Sequence, residues 1–269
     1  MEFLINNTKI SYNAEGERGF GDNVVLLKQA SDLTTATTWS TKGYTIEKLF
    51  DDVNEFKSFH REVTELLLSC WRNAGLQIPN DFTLDQYHQL VSKHQQHLDA
   101  INATKLLTID KFPLGIDRIE KRISAICGNP LRALNPYDNQ SVFHFRVIRP
   151  KSTDNNPLHR DVWLEDYESC INLYIPVAGS NDLSSLIILP GSHVWPESKI
   201  ERTVEGAQVN GVRFNVPAVT SILGEYEIAR PNPKLNELLV FSPYLIHGGS
   251  VNLNTDVTRI SIELRLWKI

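Results

Sequence analysis

The sequence is poor in several features that would narrow its class at once. It has only three cysteines in 269 residues, Cys70, Cys127 and Cys170. They are too far apart for a Cys-x-x-Cys pair and too few for a disulfide framework, so a reducing cytoplasm is the expected compartment. No apolar run approaches the roughly 20 residues that a membrane-spanning helix needs. The opening Met1-Glu2-Phe3-Leu4-Ile5 turns polar too soon for a secretory signal. Basic charge is not in excess either. The 27 basic and 32 acidic residues give a net charge of -5, which provides no basis for binding nucleic acid or anionic membranes. Low-complexity tracts, internal repeats and a linker that would split the chain are all lacking. What remains, 41% hydrophobic and 22% charged residues, is the composition of a globular chain that buries a core. One domain over residues 1–269 is expected, with 1–140 a mostly helical buttress and 141–269 the β core.

The apolar pattern changes along the chain. In the first 45 residues, short runs such as Val24-Val25-Leu26-Leu27 mix with Asn, Gly and Thr and read as strands and turns. Leu49, Val53, Phe56, Val63, Leu67 and Trp71 then recur at helical spacing, with Phe59 or His60 filling the one gap and Gly75 as a stop. Thr83-Leu84-Asp85-Gln86 is a capping-box sequence and predicts a second helix running to about Leu107. A third helix is predicted to show Ile116, Ile119, Ile123 and Ile126 on one face and to end at Gly128 and Pro130.

From residue 143 the period falls to two. Phe143, Phe145 and Val147 alternate with His144, Arg146 and Ile148. Ile171, Leu173, Ile175 and Val177 alternate with Cys170, Asn172 and Tyr174. Thr258, Ile260, Ile262, Leu264 and Leu266 alternate with Arg259, Ser261, Glu263 and Arg265. Leu186–Leu189 and Leu238–Phe241 are short apolar strands. Strands of this length, broken by Pro and Gly, predict an antiparallel sandwich or barrel.

Chemistry concentrates in Asn156-Pro157-Leu158-His159-Arg160-Asp161. Residues two apart on an extended segment point to one side, so His159 and Asp161 present an imidazole and a carboxylate together. His247 follows another apolar strand. Two histidines and one carboxylate on one face of a metal leave adjacent positions open, the facial triad of non-haem Fe(II) oxygenases. Such enzymes fill those positions with 2-oxoglutarate and O2. The far carboxylate of 2-oxoglutarate requires a fixed cation, for which arginine suits best. Arg259 lies 12 residues after His247, and Ser261 shares its strand face.

Together, His159-x-Asp161, Leu189-Pro190-Gly191-Ser192-His193, His247-Gly248 and Arg259-x-Ser261 resemble the phytanoyl-CoA dioxygenase-like branch of the Fe(II)/2-oxoglutarate-dependent oxygenases. The resemblance covers about residues 140–267, with Gly43-Tyr44 a weaker echo; residues 50–140 match nothing in it. It implies a mainly β double-stranded β-helix (jelly roll, cupin-like) with helices packed outside. It further implies that the strand carrying His144 and Arg146 lines the pocket, and that positions such as Asn172 and Tyr174 touch 2-oxoglutarate or substrate.

Several residues have two readings. Arg146 either lines the pocket with His144 or pairs with a carboxylate. Trp163 either walls the pocket or packs. Arg149 and Arg160 are further pocket candidates. His193 reads as structural, Cys170 as a small buried residue, and His60, His88, His94 and His97 as solvated. A loop at 195–215, with Gly206 and Gly211, or the N-terminal helices, could form a lid. The expected activity is hydroxylation or another oxidation of a C–H bond in a polar small molecule, for which a carbohydrate or natural-product intermediate is one candidate, with release of succinate and CO2. The rivals are a non-catalytic jelly-roll binding protein and an oxygenase acting on an acyl-CoA. A related halogenase would have Gly or Ala in place of Asp161. The sequence leaves the oligomeric state open.

Overall fold

Alternation in the sequence becomes two-sidedness in space. The computed structural model describes every residue except 29–31, 106, 153–155, 210 and 249–250, and the side chain of Glu165. The chain opens with hairpin β1 (Glu2–Ile5) and β2 (Thr8–Ser11), then β3 (Ala14–Glu15), β4 (Arg18–Phe20) and β5 (Tyr44–Lys48). The apolar run Val24–Leu27 forms no strand; Val25 makes a single bridge to Pro196, and Val24 and Val25 are exposed.

Helix α1 (Val53–Asn73) begins where Asp52 Oδ1 accepts from the Asn54 amide at 2.8 Å, and buries Phe59, Val63, Leu67 and Trp71 at the predicted spacing. The single helix expected from Thr83 to Leu107 is instead two: α2 (Tyr87–Leu90) and α3 (His94–Thr104). The capping glutamine does reach back, Gln86 Oε1 accepting from the Thr83 amide at 3.2 Å. A second glutamine, Gln96, then accepts from the amides of Ser92 and Lys93, both at 3.1 Å, and restarts the helix. Packing also overturns the solvated reading of three histidines. His97 is buried and hydrogen-bonded to Tyr87 Oη at 3.0 Å, His88 meets Thr258 Oγ1 at 3.0 Å, and His60 on α1 donates to the Val177 carbonyl at 3.0 Å. Only His94 is exposed. Helix α4 (Asp117–Cys127) buries Ile119 and Ile123 and ends at Gly128, as predicted.

The β core follows: β6 (Leu131–Arg132), β7 (Phe143–Ile148), β8 (Cys170–Ala178), β9 (Ile187–Ile188), β10 (Ile200–Thr203), β11 (Ala207–Val209), β12 (Val212–Phe214), β13 (Val219–Ile222), β14 (Glu237–Phe241), β15 (His247–Gly248) and β16 (Arg259–Lys268). The principal sheet runs β5-β14-β8-β16-β6, with β7 also on β16, all antiparallel. Its outer face carries Phe143, Phe145, Leu173, Ile175, Val240, Ile260, Ile262 and Leu264, packed in one apolar cluster with α1 and α4. Facing its inner side is the β9–β15 pair, whose Ile188 packs with Tyr174, Leu239 and Phe241; two three-stranded sheets, β13-β10-β4 and β12-β11-β3, complete the β structure. This is the mainly β jelly roll, with its helices on the outside of one sheet. The first 48 residues also supply strands to it, since β5 joins β14, β4 joins β10 and β3 joins β11. No helix among the described residues is long and apolar enough to cross a membrane.

Gly43, just before β5, shows how tightly the two parts meet. Its φ is +76°, and a Cβ there would lie 2.6 Å from His193 Nδ1. His193 is buried and donates through Nε2 to the Ser40 carbonyl at 2.7 Å, the structural role predicted for it. Gly43→Ala combines left-handed strain with that clash and should lower stability by about 2 kcal/mol or more. Urea unfolding followed by tryptophan fluorescence checks this.

Candidate metal centre

The segment bearing His159 and the segment bearing His247 pair through one antiparallel bridge, each amide donating to the other's carbonyl at 2.9 and 3.0 Å. Such an opposed pair places the two side chains on the same side. Their rings sit 4.4 Å apart between centroids. Arg160 is extended (φ -109°, ψ 137°), so Asp161 returns to the side of His159, as the two-residue spacing predicted. Gly248 makes the approach possible. Its φ is +111°, and a Cβ would stand 2.4 Å from the Pro157 carbonyl oxygen.

His159, Asp161 and His247 are all buried and place one ligand atom each within 4.8 Å of one another. The ring orientation of both histidines is fixed from behind. Nδ1 of His159 lies 2.7 Å from the Pro157 carbonyl and Nδ1 of His247 lies 3.0 Å from the Leu245 carbonyl. A carbonyl only accepts, so Nδ1 carries the proton in each ring and Nε2 turns its lone pair inward. Asp161 Oδ1 faces those nitrogens at 3.3 and 3.8 Å. Its other oxygen, Oδ2, accepts from Asn172 Nδ2 at 2.9 Å and from Arg265 Nε and Nη2 at 3.2 and 3.0 Å. Burial pushes the Asp161 carboxyl up, but Arg265 and the two histidines overcome this and hold it well below the carboxylate range. Burial, reinforced by neighbouring His159, lowers the His247 pKa to about 4. With Nε2 of each ring unprotonated, as metal ligation requires, two lone pairs and a carboxylate oxygen converge on one point. A divalent transition metal would satisfy all three donors, and two nitrogens with one oxygen suit Fe(II).

The centre lies in a cavity with about 600 Å³ of empty space counted out to its mouth. Arg259, Asn172, Tyr174, Arg146, Glu263 and Phe241 line it with the triad. Arg259 is 2% exposed, its Cζ lies 5.6 Å from the Tyr174 ring centroid, and its Nε and Nη1 have no hydrogen-bond partner among the described residues. Ser261 Oγ is likewise buried and without a partner. Tyr174 Oη is hydrogen-bonded to Ser180 at 2.7 Å. Arg146 lines the cavity and also pairs with Glu263, Nε to Oε2 at 2.8 Å, so both of its sequence readings hold at once.

Other candidates lie elsewhere. His144 lines a second cavity between α3 and β7, with His97, Thr104, Lys105 and Arg146, and not the one holding the triad. Trp163 turns away from the site; its Nε1 donates to Glu197 Oε2 at 2.9 Å and its ring stacks against Arg202. Arg160 is 0% exposed and bonded to Glu197 and the carbonyls of Ser192 and Trp195, so it is structural and not a pocket residue. Arg149 does not line the triad cavity. The expected lid at 195–215 is largely built into β10, β11 and β12, whose neighbours are β13, β4 and β3; residue 210 lies outside the described residues. Sequence reasoning missed Arg265 and Asn172 as partners of Asp161, and Glu263 as the partner of Arg146. The signal was present, since Arg259, Ser261, Glu263 and Arg265 share one face by period two.

No family model and no curated protein matches the chain by sequence. The structure is similar to EctD from S. alaskensis with 2-oxoglutarate and 5-hydroxyectoine, at 13% identity and a TM-score of 0.50, over 96% of this chain and 86% of that one. It is similar to the same protein with bound Fe at 14% identity and a TM-score of 0.50, over 96% and 87%. It is also similar to AviO1 from Streptomyces viridochromogenes Tue57, at 13% identity and a TM-score of 0.50, over 91% and 97%. These likenesses establish the jelly-roll fold.

Arg160 allows the fold to be tested apart from the site. Arg160→Met takes from buried Glu197 its closest cation and leaves it Arg202 Nε at 3.5 Å and the Trp163 indole at 2.9 Å, so the loss should fall at about 3 kcal/mol, the lower end for a buried pair broken on one side. Equilibrium unfolding should show that loss, and Glu197→Gln combined with Arg160→Met should recover part of it.

Proposed function

We propose that the protein is an Fe(II)- and 2-oxoglutarate-dependent oxygenase of the phytanoyl-CoA dioxygenase-like type, oxidising a C–H bond of a polar small molecule. The observation that carries this reading is the pairing, in one cavity, of a buried His-Asp-His triad with an arginine that has no anion of its own. Residues His159, Asp161 and His247 would hold the metal. Arg259 and Ser261 would hold the far carboxylate of 2-oxoglutarate, whose burial requires a cation. Bound there with 2-oxoglutarate and O2, Fe(II) supplies an oxidant able to break a C–H bond, with succinate and CO2 as co-products. The structural likeness to EctD, described with 2-oxoglutarate and with Fe, supports the same cofactors here.

The chain's own residues divide the work. The Pro157 and Leu245 carbonyls engage Nδ1 of each imidazole and keep Nε2 aimed inward. Arg265 and Asn172 occupy Oδ2 of Asp161, which leaves Oδ1 to face the triad centre. Apolar Phe241 and Leu186 exclude water from part of the wall. The polar part, Arg146 with Glu263 and nearby Asn156, favours a substrate with hydroxyl or charged groups, in keeping with a carbohydrate or natural-product intermediate. Burial of all three thiols suits a reducing compartment, and we assign the cytoplasm.

Substrate-stimulated succinate formation across a panel of polar metabolites tests the activity. A panel in which no compound stimulates turnover by metal-loaded protein, with 2-oxoglutarate failing to bind, would remove the reading. Anaerobic reconstitution should load one Fe(II) per chain, and Asp161→Ala with His247→Ala should abolish it; undiminished iron content in that double variant would refute the ligand set. Arg146→Ala should raise the KM for substrate about tenfold while substrate-independent consumption of 2-oxoglutarate stays within about twofold. Loss of iron from Arg146→Ala would instead mark it as part of the framework.

A further inference from the structure

Arg259 is not the one unsatisfied arginine in this corner of the molecule. Arg230 follows Ala229, which pairs with Ile188 on β9 through reciprocal hydrogen bonds of 2.9 Å; Ile188 in turn faces His247 on β15. Ala229, Ile188, His247 and His159 thus form one row of cross-strand neighbours, and Arg230 begins the next. Its Nη1 donates to the Val251 carbonyl at 3.2 Å. Its Nε and Nη2 are buried and have no partner among the described residues. These two atoms form one edge of the guanidinium, the fork that accepts a carboxylate through two parallel bonds. Burial and the nearby charge of Arg259 lower the Arg230 pKa to about 10, which places the two cations in one another's field. Tyr174, whose ring lies beneath Arg259, acts on Arg230 as well. Among the described residues no carboxylate forms an ion pair with either arginine.

Two guanidiniums that repel each other inside a protein are costly unless an anion lies between them. The protein has left four guanidinium nitrogens and the Ser261 hydroxyl unsatisfied in the same region. Farther along the inner sheet face it pairs Arg146 with Glu263 midway and Arg265 with Asp161 at the other end. On that sheet face the open arginine donors among the described residues are those of Arg259, at the end where a ligand carboxylate would sit. We propose that Arg230 is a second binding residue for the distal carboxylate of the 2-oxo acid, gripping it jointly with Arg259. This rests on the 2-oxoglutarate reading of the site. It deepens that reading by making the site a two-arginine clamp, selective for a dicarboxylate over a 2-oxo monocarboxylate.

The test compares two ligands on Mn(II)-loaded protein without O2, by calorimetry. One is 2-oxoglutarate; the other is 2-oxopentanoate, which has the same keto-acid head and no distal carboxylate. Arg230→Gln should weaken 2-oxoglutarate about tenfold or more, the range of a lost charge-assisted contact, and leave 2-oxopentanoate unchanged. Arg230→Lys, with charge but no fork, should fall between wild type and Arg230→Gln, and serves alone if the glutamine variant does not fold. Unchanged 2-oxoglutarate affinity in the Arg230 variants beside a loss in Arg259→Ala would overturn the role of Arg230 and leave the cosubstrate reading standing. Equal weakening of both ligands would also overturn it, because the residue would then be supporting the pocket and not the carboxylate. Wild-type protein that does not prefer 2-oxoglutarate to 2-oxopentanoate would defeat the cosubstrate reading itself, and the clamp with it.

Discussion

Four polar residues at alternate positions of β16, from Arg259 to Arg265, point between the two layers of the jelly roll, and the rest of the structure answers to that fact. The intervening residues, Ile260, Ile262 and Leu264, anchor the sheet to the helices by burying apolar surface. The strand cannot slip by one residue without placing three charges in that apolar core. Register is therefore fixed by the polar face as firmly as by the apolar one. The pairing that results sets Arg265 opposite Asn172, Glu263 opposite Tyr174 and His144, and Ser261 opposite Arg146. The cavity lined by Arg146, Asn172, Tyr174, Glu263 and Arg265 follows from the alternation itself.

Charge is then distributed unevenly along that face. Arg265 neutralises Asp161, and Asn172 shares the same oxygen, so one carboxylate is fully engaged on one side and open on the other. Arg146 neutralises Glu263 midway, and three arginines hold the Glu263 carboxyl low against the upward push of burial. Among the described residues Arg259 has no such partner. A face made of two closed pairs and one open cation is polar in a directed sense, with a metal-ligand end and an anion-binding end. Buried ion pairs add little net stability, so their use here is better understood as fixing geometry. The histidines follow the same logic, since backbone carbonyls set which nitrogen turns inward.

Much of this could be read in the sequence, and the limits were physical. Period two in β7, β8 and β16 was legible because each strand has one apolar and one polar face. His159-x-Asp161 was legible because extended backbone has no other way to project two side chains together. The break between α2 and α3 was not, because Gln96 capping the amides of Ser92 and Lys93 competes with a continuous helix that propensity alone favours. His97 and His60 were misread because their partners, Tyr87 Oη and the Val177 carbonyl, are supplied by packing that a helical period cannot show. Trp163 and Arg160 stand beside the motif in sequence yet face Glu197, which lies more than 30 residues away. Nearness to a ligand along the chain says nothing of which layer a side chain enters once the strand gives way to a short 3-10 turn at Asp161.

The N-terminal segment shows the same lesson at longer range. Tyr12 Oη donates to the Val219 carbonyl at 2.6 Å and accepts from the Leu158 amide at 3.2 Å, clamping the stretch that delivers His159. Burial raises the phenol's pKa, so it stays a neutral donor. Leu158 itself is fully buried in a cluster with Phe3, Ile5 and Ile10 from the first hairpin. The first dozen residues therefore hold one ligand-bearing segment in place, while the helices after residue 53 hold the sheet opposite. Helices that pack on the outer face of β16 and β8 fix the position of Arg265 and Asn172, and through them Asp161. The hairpin fixes His159. Both ends of the triad are thus tied to parts of the chain that contribute no ligand, and a change in either should move the two kinds of ligand relative to one another.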